Sequence, residues 1–157
     1  MVKKSKHRSR GTRGSAIAEF APALMVLGLI SVPMFDLMGV GVAFVSGYVM
    51  NVYQTREVAL AKSSDASAVA YSSYVKWASK GMGRIARMGN GHGDIKYVNQ
   101  GDTVNVTVTS KVMFKPPLML PFIPNLPGVS APVELVFSSA RPMEDPKDAV
   151  KGQPKNW

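Results

Sequence analysis

The chain contains no cysteine, and that single absence excludes disulfides, zinc–thiolate sites, thiol nucleophiles and iron–sulfur clusters together. It does not fix a compartment, because bacterial periplasmic domains hold together without disulfides. Histidine is nearly absent as well: His7 and His92 are the only two. Neither has a ligating partner at useful spacing, so no metal site and no cofactor is expected, and His92, set between two glycines, reads as a loop residue. Acidic residues are scarce, ten against nineteen Lys and Arg, which leaves a formal net charge of +9. The excess is local. Lys3, Lys4, Lys6, Arg8, Arg10 and Arg13 fall within the first fourteen residues without one acid, and the remainder is close to balance at thirteen against ten. No nucleic-acid motif accompanies the charge, so nucleic acid is not an expected partner. Phosphate-binding loops, dinucleotide fingerprints and nucleophile elbows are missing too. The serines at Ser63, Ser64, Ser72, Ser73, Ser138 and Ser139 read as small helix or strand residues, and no catalytic constellation emerges. An enzyme is not expected.

What the chain does have is one long apolar run. From Phe20 to Tyr53 it is built of Ala, Leu, Met, Val, Ile, Phe and Gly, with Asp36 its only charge. A spanning helix needs about 20 apolar residues at a rise of about 1.5 Å each. This run exceeds that, and it is longer than the roughly 7–15 apolar residues of a cleaved secretory signal. One part can cross a bilayer while the rest projects beyond it, which makes membrane lipid an expected partner. The basic block beside it is a positive-inside signal, placing the N-terminus in the cytoplasm. Pro22 and Pro33 fall within the run, and a membrane helix tolerates them when neighbours repair the lost backbone bond. Asp36 lies about 24 Å along the helix from Phe20. It reads either as a contact to a partner subunit or as a residue of the outer headgroup layer.

From Arg56 to about Met88 the composition predicts a helix, with Ala70, Tyr74, Trp77, Gly81, Ile85 and Met88 as one apolar stripe covering a sheet. Gly81–Met82–Gly83 is a place where it divides. Gly89 to Gly93 reads as a break. Ile95 to Val98 predicts a short strand, Gly101–Asp102 a turn, and Thr103 to Phe114 an alternating strand. Six of the eleven prolines crowd into Lys115 to Pro132, which implies an extended loop. Its apolar members Leu118, Met119, Leu120, Phe122, Ile123 and Leu126 either fold over the sheet or face a partner or membrane. Val133 to Phe137 predicts a further strand, and the tail from Pro146 a loose polar segment.

The stretch Arg13-Gly14-Ser15-Ala16-Ile17-Ala18-Glu19-Phe20 is the most informative. By residue chemistry alone, Glu19 is a solvated acid favoured by the helix dipole at a helix start, or a carboxylate costly at a membrane edge unless paired. Taken with the short Lys/Arg leader, the small residues after Gly14 and the apolar helix that follows, the stretch resembles the processing site of type IV pilins and pseudopilins. The resemblance implies cleavage between Gly14 and Ser15 by a prepilin peptidase, leaving Glu19 fifth in the mature chain. There it would pair with the new amino terminus of a neighbouring subunit. Ala16-Ile17-Ala18-Glu19-Phe20, the strand ending Val112-Met113-Phe114-Lys115-Pro116 and Ser138 to Glu144 are similar to the TadE-like branch of the tight-adherence system. Phe20 and the extra domain depart from the short major pilin of that system and suggest a minor subunit.

These readings predict an α+β protein with a long N-terminal transmembrane helix, a shorter helix and a small, mainly antiparallel sheet. Residues 1–14 form the leader, 15–55 the pilin-like helix, 56–145 an extracytoplasmic TadE-like domain and 146–157 a loose tail. The resemblance implies a minor pilin anchored by a single pass in the bacterial inner membrane, with its C-terminal domain periplasmic. Its partners would be pilin-like subunits, pilus assembly machinery and the peptidase. Gly14 and Ser15 are the processing pair; Glu19, Phe20 and Asp36 are the expected assembly residues. Gly28, Gly39, Gly41 and Gly47 would allow close helix contacts. The rivals are a single-pass anchor or accessory subunit of another secretion or envelope complex, and a secreted binding module cleaved well after Phe20.

Overall fold

The computed structural model describes residues 13–86, 88–116, 125–149 and 155–157. It is α+β: a long N-terminal apolar helix, a shorter helix and a small four-stranded antiparallel sheet. The leader up to residue 12 and the proline-rich residues 117–124, with Leu118 to Ile123, lie outside the described residues. Two compact units divide the chain between Phe35 and Asp36, inside the segment expected to form the helix alone.

Helix α1 runs from Arg13 to Leu60 and includes both Pro22 and Pro33. In the first unit its described side chains from Ala18 to Ile30 are exposed on every side. They include Phe20, Leu24, Met25, Leu27 and Ile30. A helix apolar all round belongs in lipid or in the middle of a bundle. Ser31 fits that setting because its hydroxyl donates back to Leu27 O at 2.7 Å, leaving no unsatisfied polar group to face hydrocarbon.

The second unit starts from Asp36. Here α1 becomes one-sided: Ala43, Ser46, Gly47, Met50, Asn51, Gln54, Thr55, Val58 and Ala59 are buried at spacings of one, three and four, the signature of a helix lying on a surface. After Leu60 the chain turns through Ala61 to Asp65, with Ala61 N–H to Val58 O at 3.2 Å and Asp65 N–H to Lys62 O at 3.0 Å. Helix α2 follows (Ala66–Ser79), burying Ala66, Ala70, Ser73 and Tyr74. Lys80 is extended and Gly81 has φ +59, a conformation that favours glycine. The expected division at Gly81 is therefore present, and the short α3 (Gly81–Ile85) lies beyond it. The single helix expected over Arg56 to Met88 is replaced by three pieces. Ile85, expected on the buried stripe, is 75% exposed, because the break at Lys80 and Gly81 rotates α3 away from the register of α2.

The sheet has the order β3-β2-β1-β4. Strand β2 (Thr103–Phe114) matches its expected bounds and buries Val104, Val106, Val108, Ser110, Val112 and Phe114 in strict alternation, so one face is covered and the other is solvated. The turn at Gly101 has φ +63. Strand β3 (Val133–Pro142) runs further than expected because it pairs with β2 all the way from Val133↔Phe114 to Pro142↔Asn105.

Two expectations are corrected. Gly89 to Gly93 is no break but the first part of β1 (Met88–Gln100), with a register irregularity between Gly89 and His92. The glycines are there for close approach. A Cβ on Gly91 would lie 2.4 Å from the Tyr74 ring, and one on Gly93 2.3 Å from Thr109 O. The tail ends in a strand, β4 (Lys155–Asn156), which pairs with β1. Trp157 then packs on Tyr74 with ring centroids 5.9 Å apart, and that burial is what orders the chain end.

The core lies between the covered sheet face and the helices, in two clusters. One gathers Val58, Ala66, Ala70, Ile95, Val106 and Val108. The other gathers Ala43, Met50, Tyr74, Met88, Val112 and Phe114.

Candidate functional site

Within the second unit α1 buries a mixed face, on which polar residues stand among Ala43, Met50, Val58 and Ala59, and leaves an apolar stripe exposed. Its buried side carries Asp36, Ser46, Asn51, Gln54 and Thr55, while Leu37, Met38, Val42, Phe44, Val45, Tyr48, Val49 and Tyr53 are each between 41% and 66% exposed. The exposed residues fall on neighbouring three- and four-residue rows, so they form one stripe.

The buried side is a hydrogen-bonded seam. Asn51 Nδ2 donates to Val108 O at 3.0 Å and to Ser110 Oγ at 2.7 Å. Ser110 Oγ donates to Gln54 Oε1 at 2.8 Å, and Gln54 Nε2 donates to Ala70 O on α2 at 2.9 Å. Thr55 Oγ1 donates to Asn51 O at 2.8 Å and also meets Ser139 Oγ of β3. Further down, Trp77 Nε1 donates to Ser46 Oγ at 3.0 Å. One chain of amides and hydroxyls thus ties α1 to β2, β3 and α2. None of these groups titrates near neutral pH, so the seam holds position. Close contact completes the seat: a Cβ on Gly47 would fall 2.3 Å from Phe137 Cε2, and Phe44 packs beside the same ring at 5.4 Å between centroids.

The residues singled out in the sequence are distributed along α1. Gly14 and Ser15 are in its first turn. Glu19 and Phe20 are exposed on the first unit. Asp36 is fully buried and opens the second unit, so its side chain is directed into the protein instead of an exposed face that a neighbouring subunit could reach. Glu19 and Asp36 are seventeen positions apart along α1, one in each unit. Of the four glycines expected to admit neighbouring helices, Gly28 and Gly41 are open, with nothing within 4 Å of a built Cβ. Gly47 serves the protein's own packing against Phe137 instead.

The seam was not anticipated. Its signal was present in the neutral polar residues Ser46, Asn51, Gln54 and Thr55, which recur at helical spacing within and just past an otherwise apolar run. Counting charges alone passes over them.

Elsewhere, His92 is exposed on β1 and lines a cleft with Asp94, Lys96, Thr109, Lys111 and Trp157. Among the described residues, no three His, Asp or Glu side chains converge as metal ligands. Tyr74 and Tyr97 are the perturbed titratable groups of the core. Burial raises both hydroxyls above their usual value, and for Tyr74 the Gly91 N–H that it accepts partly offsets the rise. The Tyr74 hydroxyl bridges β1, donating to Gly89 O and accepting from Gly91 N–H, both at 2.8 Å.

No protein-family model, no curated protein and no solved structure matches the chain.

Proposed function

We propose that this protein is a single-span membrane subunit that works by helix-mediated assembly, as a minor pilin or pseudopilin of the TadE-like kind in a tight-adherence pilus. The observation that supports it is the apolar stripe that α1 leaves exposed. Exposed apolar surface continues along α1 from Phe20 to Tyr53, about 50 Å by helical rise. A bilayer core accounts for about 30 Å. The remaining length, with its stripe from Leu37 to Tyr53, needs an apolar protein surface, and similar helices from other subunits supply one. Gly41 and Gly28 lie open for close approach.

In this reading the leader is removed between Gly14 and Ser15 by a prepilin peptidase, and Glu19 pairs with the new amino terminus of an adjacent subunit. Two opposite charges at a membrane edge cost less together than apart. Phe20 flanks that contact. The basic leader keeps the N-terminus cytoplasmic and the second unit periplasmic, at the bacterial inner membrane.

The test is the N-terminus of the membrane-extracted protein, read by mass spectrometry with the peptidase present and absent. A chain beginning at Ser15 only when the peptidase is present is the expected result. An intact leader under both conditions would overturn the processed-pilin reading and favour an anchored accessory subunit of another envelope complex.

A further inference from the structure

The second unit has a base and a far end, and its internal contacts distinguish them. Helices α1 and α2 run antiparallel in step, since Gln54 bonds Ala70 while Ser46 bonds Trp77. Beyond the break that ends α2, Ala86 belongs to the same apolar cluster as Val40 and Ala43. Phe114 at the end of β2 and Val133 at the start of β3 belong to the same cluster. A Cβ on Gly128, two residues after Leu126, would lie 2.9 Å from Val40 Cγ2. The Asp36 end of the unit therefore carries α3, the end of β2 and the turn before β3. About 20 residues from Phe20 bring the span to the neighbourhood of Val40, so the Asp36 end of this unit lies where the span emerges. Covalent connectivity alone therefore tethers this end at a bilayer surface, whatever the angle between the units.

The chemistry of that end suits such a surface. Ile85 is 75% exposed and Leu126 52% exposed, each an apolar side chain at a tip. Arg84, next to Ile85, and Lys115, just past the end of β2, are exposed cations. Of the acids at this end, Asp36 is fully buried and Glu134 is engaged with Lys111 at 3.7 Å. Between Asp65 and Asp94 the chain has no acid, while Lys76, Lys80, Arg84 and Arg87 are all cationic. Apolar tips flanked by cations are what an anionic headgroup layer accepts, the tips entering the acyl boundary and the cations staying with the phosphates.

We propose that the base of the second unit, centred on Ile85 and Leu126 with Arg84 and Lys115, is a second membrane contact. It docks in the headgroup layer of anionic phospholipid on the side where the span emerges. It rests on the single-span reading given above. Its consequence is mechanical: the contact fixes the tilt at which the apolar stripe of α1 is offered to a neighbour.

Because the chain lacks cysteine, single nitroxide labels report cleanly. Full-length Ile85→Cys and Leu126→Cys proteins are labelled and reconstituted in vesicles of phosphatidylcholine, with and without phosphatidylglycerol. Leu27→Cys in the apolar stretch and Asp102→Cys in the β1–β2 turn serve as controls. Oxygen and a water-soluble nickel chelate then report label depth. The expected result is labels at Ile85 and Leu126 about 5–10 Å into the headgroup–acyl boundary in anionic vesicles, with Asp102 in water. Adding Arg84→Gln and Lys115→Gln should lower the embedded fraction relative to water about fivefold for each cation removed. Labels at Ile85 and Leu126 as wet as Asp102 in every lipid, while Leu27 is in lipid, would overturn this proposal and leave the span intact. Depth unaffected by phosphatidylglycerol would overturn it as an anionic-lipid contact. A wet Leu27 would instead overturn the span itself.

Discussion

Replacing Asn51 with leucine separates two ways of judging this helix. By propensity and by hydrophobicity the change is favourable, since leucine is the better helix former by a few tenths of a kcal/mol and nearly the same shape. The seam argues the opposite. Leucine removes both donations from Asn51 Nδ2, to Val108 O and to Ser110 Oγ. Each hydrogen bond is worth about 1 kcal/mol net, and a buried acceptor left without its donor costs about 1–3 kcal/mol. Ser110 keeps its bond to Gln54, which moderates the loss. After subtracting the propensity gain, Asn51→Leu should destabilise the second unit by about 2 kcal/mol, or roughly 6–10 °C in melting temperature for a unit of this size. The assay is thermal or denaturant unfolding of the detergent-solubilised protein followed by tryptophan fluorescence. Both tryptophans report on this unit: Trp77 is bonded to Ser46, and Trp157 is packed on Tyr74. Val49→Ser, on the exposed stripe, should leave the midpoint within about 0.5 kcal/mol. An Asn51→Leu protein as stable as the parent, or more so, would refute the claim that polar bonds hold α1 on the sheet.

Two further predictions concern packing and pH. Gly47→Leu should destabilise by about 1–3 kcal/mol because its side chain meets the Phe137 ring; Phe137→Ala in the same chain should recover part of that loss in a double-mutant unfolding series. Tyr74→Phe should cost about 1–3 kcal/mol through its two hydrogen bonds. Tyr97→Phe should be neutral or stabilising, because the buried Tyr97 hydroxyl has no hydrogen-bond partner among the described residues. Both tyrosines are raised above 10.0 in the folded state, so their contribution is complete below pH 10 and falls as pH rises from there toward the folded values, the unfolded chain losing its protons first. Unfolding midpoints measured across pH 9–11, a window set by the ordinary tyrosine value of about 10, should decline less in Tyr97→Phe than in the parent. An unchanged slope would contradict the direction given for Tyr97.

The elements legible in the sequence were those whose own periodicity decides their structure. Strand β2 alternates so regularly that its bounds could be read off, and the apolar run announced α1. The Gly89 to Gly93 segment was not legible, because a glycine cluster looks the same whether it breaks a chain or lets it pass close to a ring. Only the Tyr74 side chain above Gly91 distinguishes the two. The tail was read as loose from its polar composition, yet it pairs with β1 and packs Trp157 on Tyr74, a partner more than eighty residues away in sequence. For the candidate site, Glu19, Phe20 and Asp36 were legible as residues of one helix, but the clue to which side that helix buries lay in Ser46, Asn51, Gln54 and Thr55, which a count of charges passes over. Hydropathy favours the stripe from Leu37 to Tyr53, and the fold buries the face that mixes Ala43, Met50 and Val58 with Asn51, Gln54 and Thr55.

That choice of face has a physical reason. The seated part of α1 carries apolar residues on both sides, with Ala43, Met50, Val58 and Ala59 buried and Leu37 to Tyr53 exposed, so apolar burial alone discriminates only weakly between rotations about its axis. Directed hydrogen bonds do. Turning α1 by one residue, about 100° at 3.6 residues per turn, would move Asn51 off Val108 O and Ser110 Oγ and leave Gln54 unable to reach Ala70 O. Buried polar groups would be stranded against apolar surface, at a cost of a few kcal/mol for each. The seam therefore sets the rotation of α1 on the sheet, and with it the direction in which Leu37 to Tyr53 points. A chain that must present an apolar stripe to other subunits cannot also use that stripe to hold its own fold. Asn51, Gln54 and Thr55 perform the second task and leave the first to the opposite face.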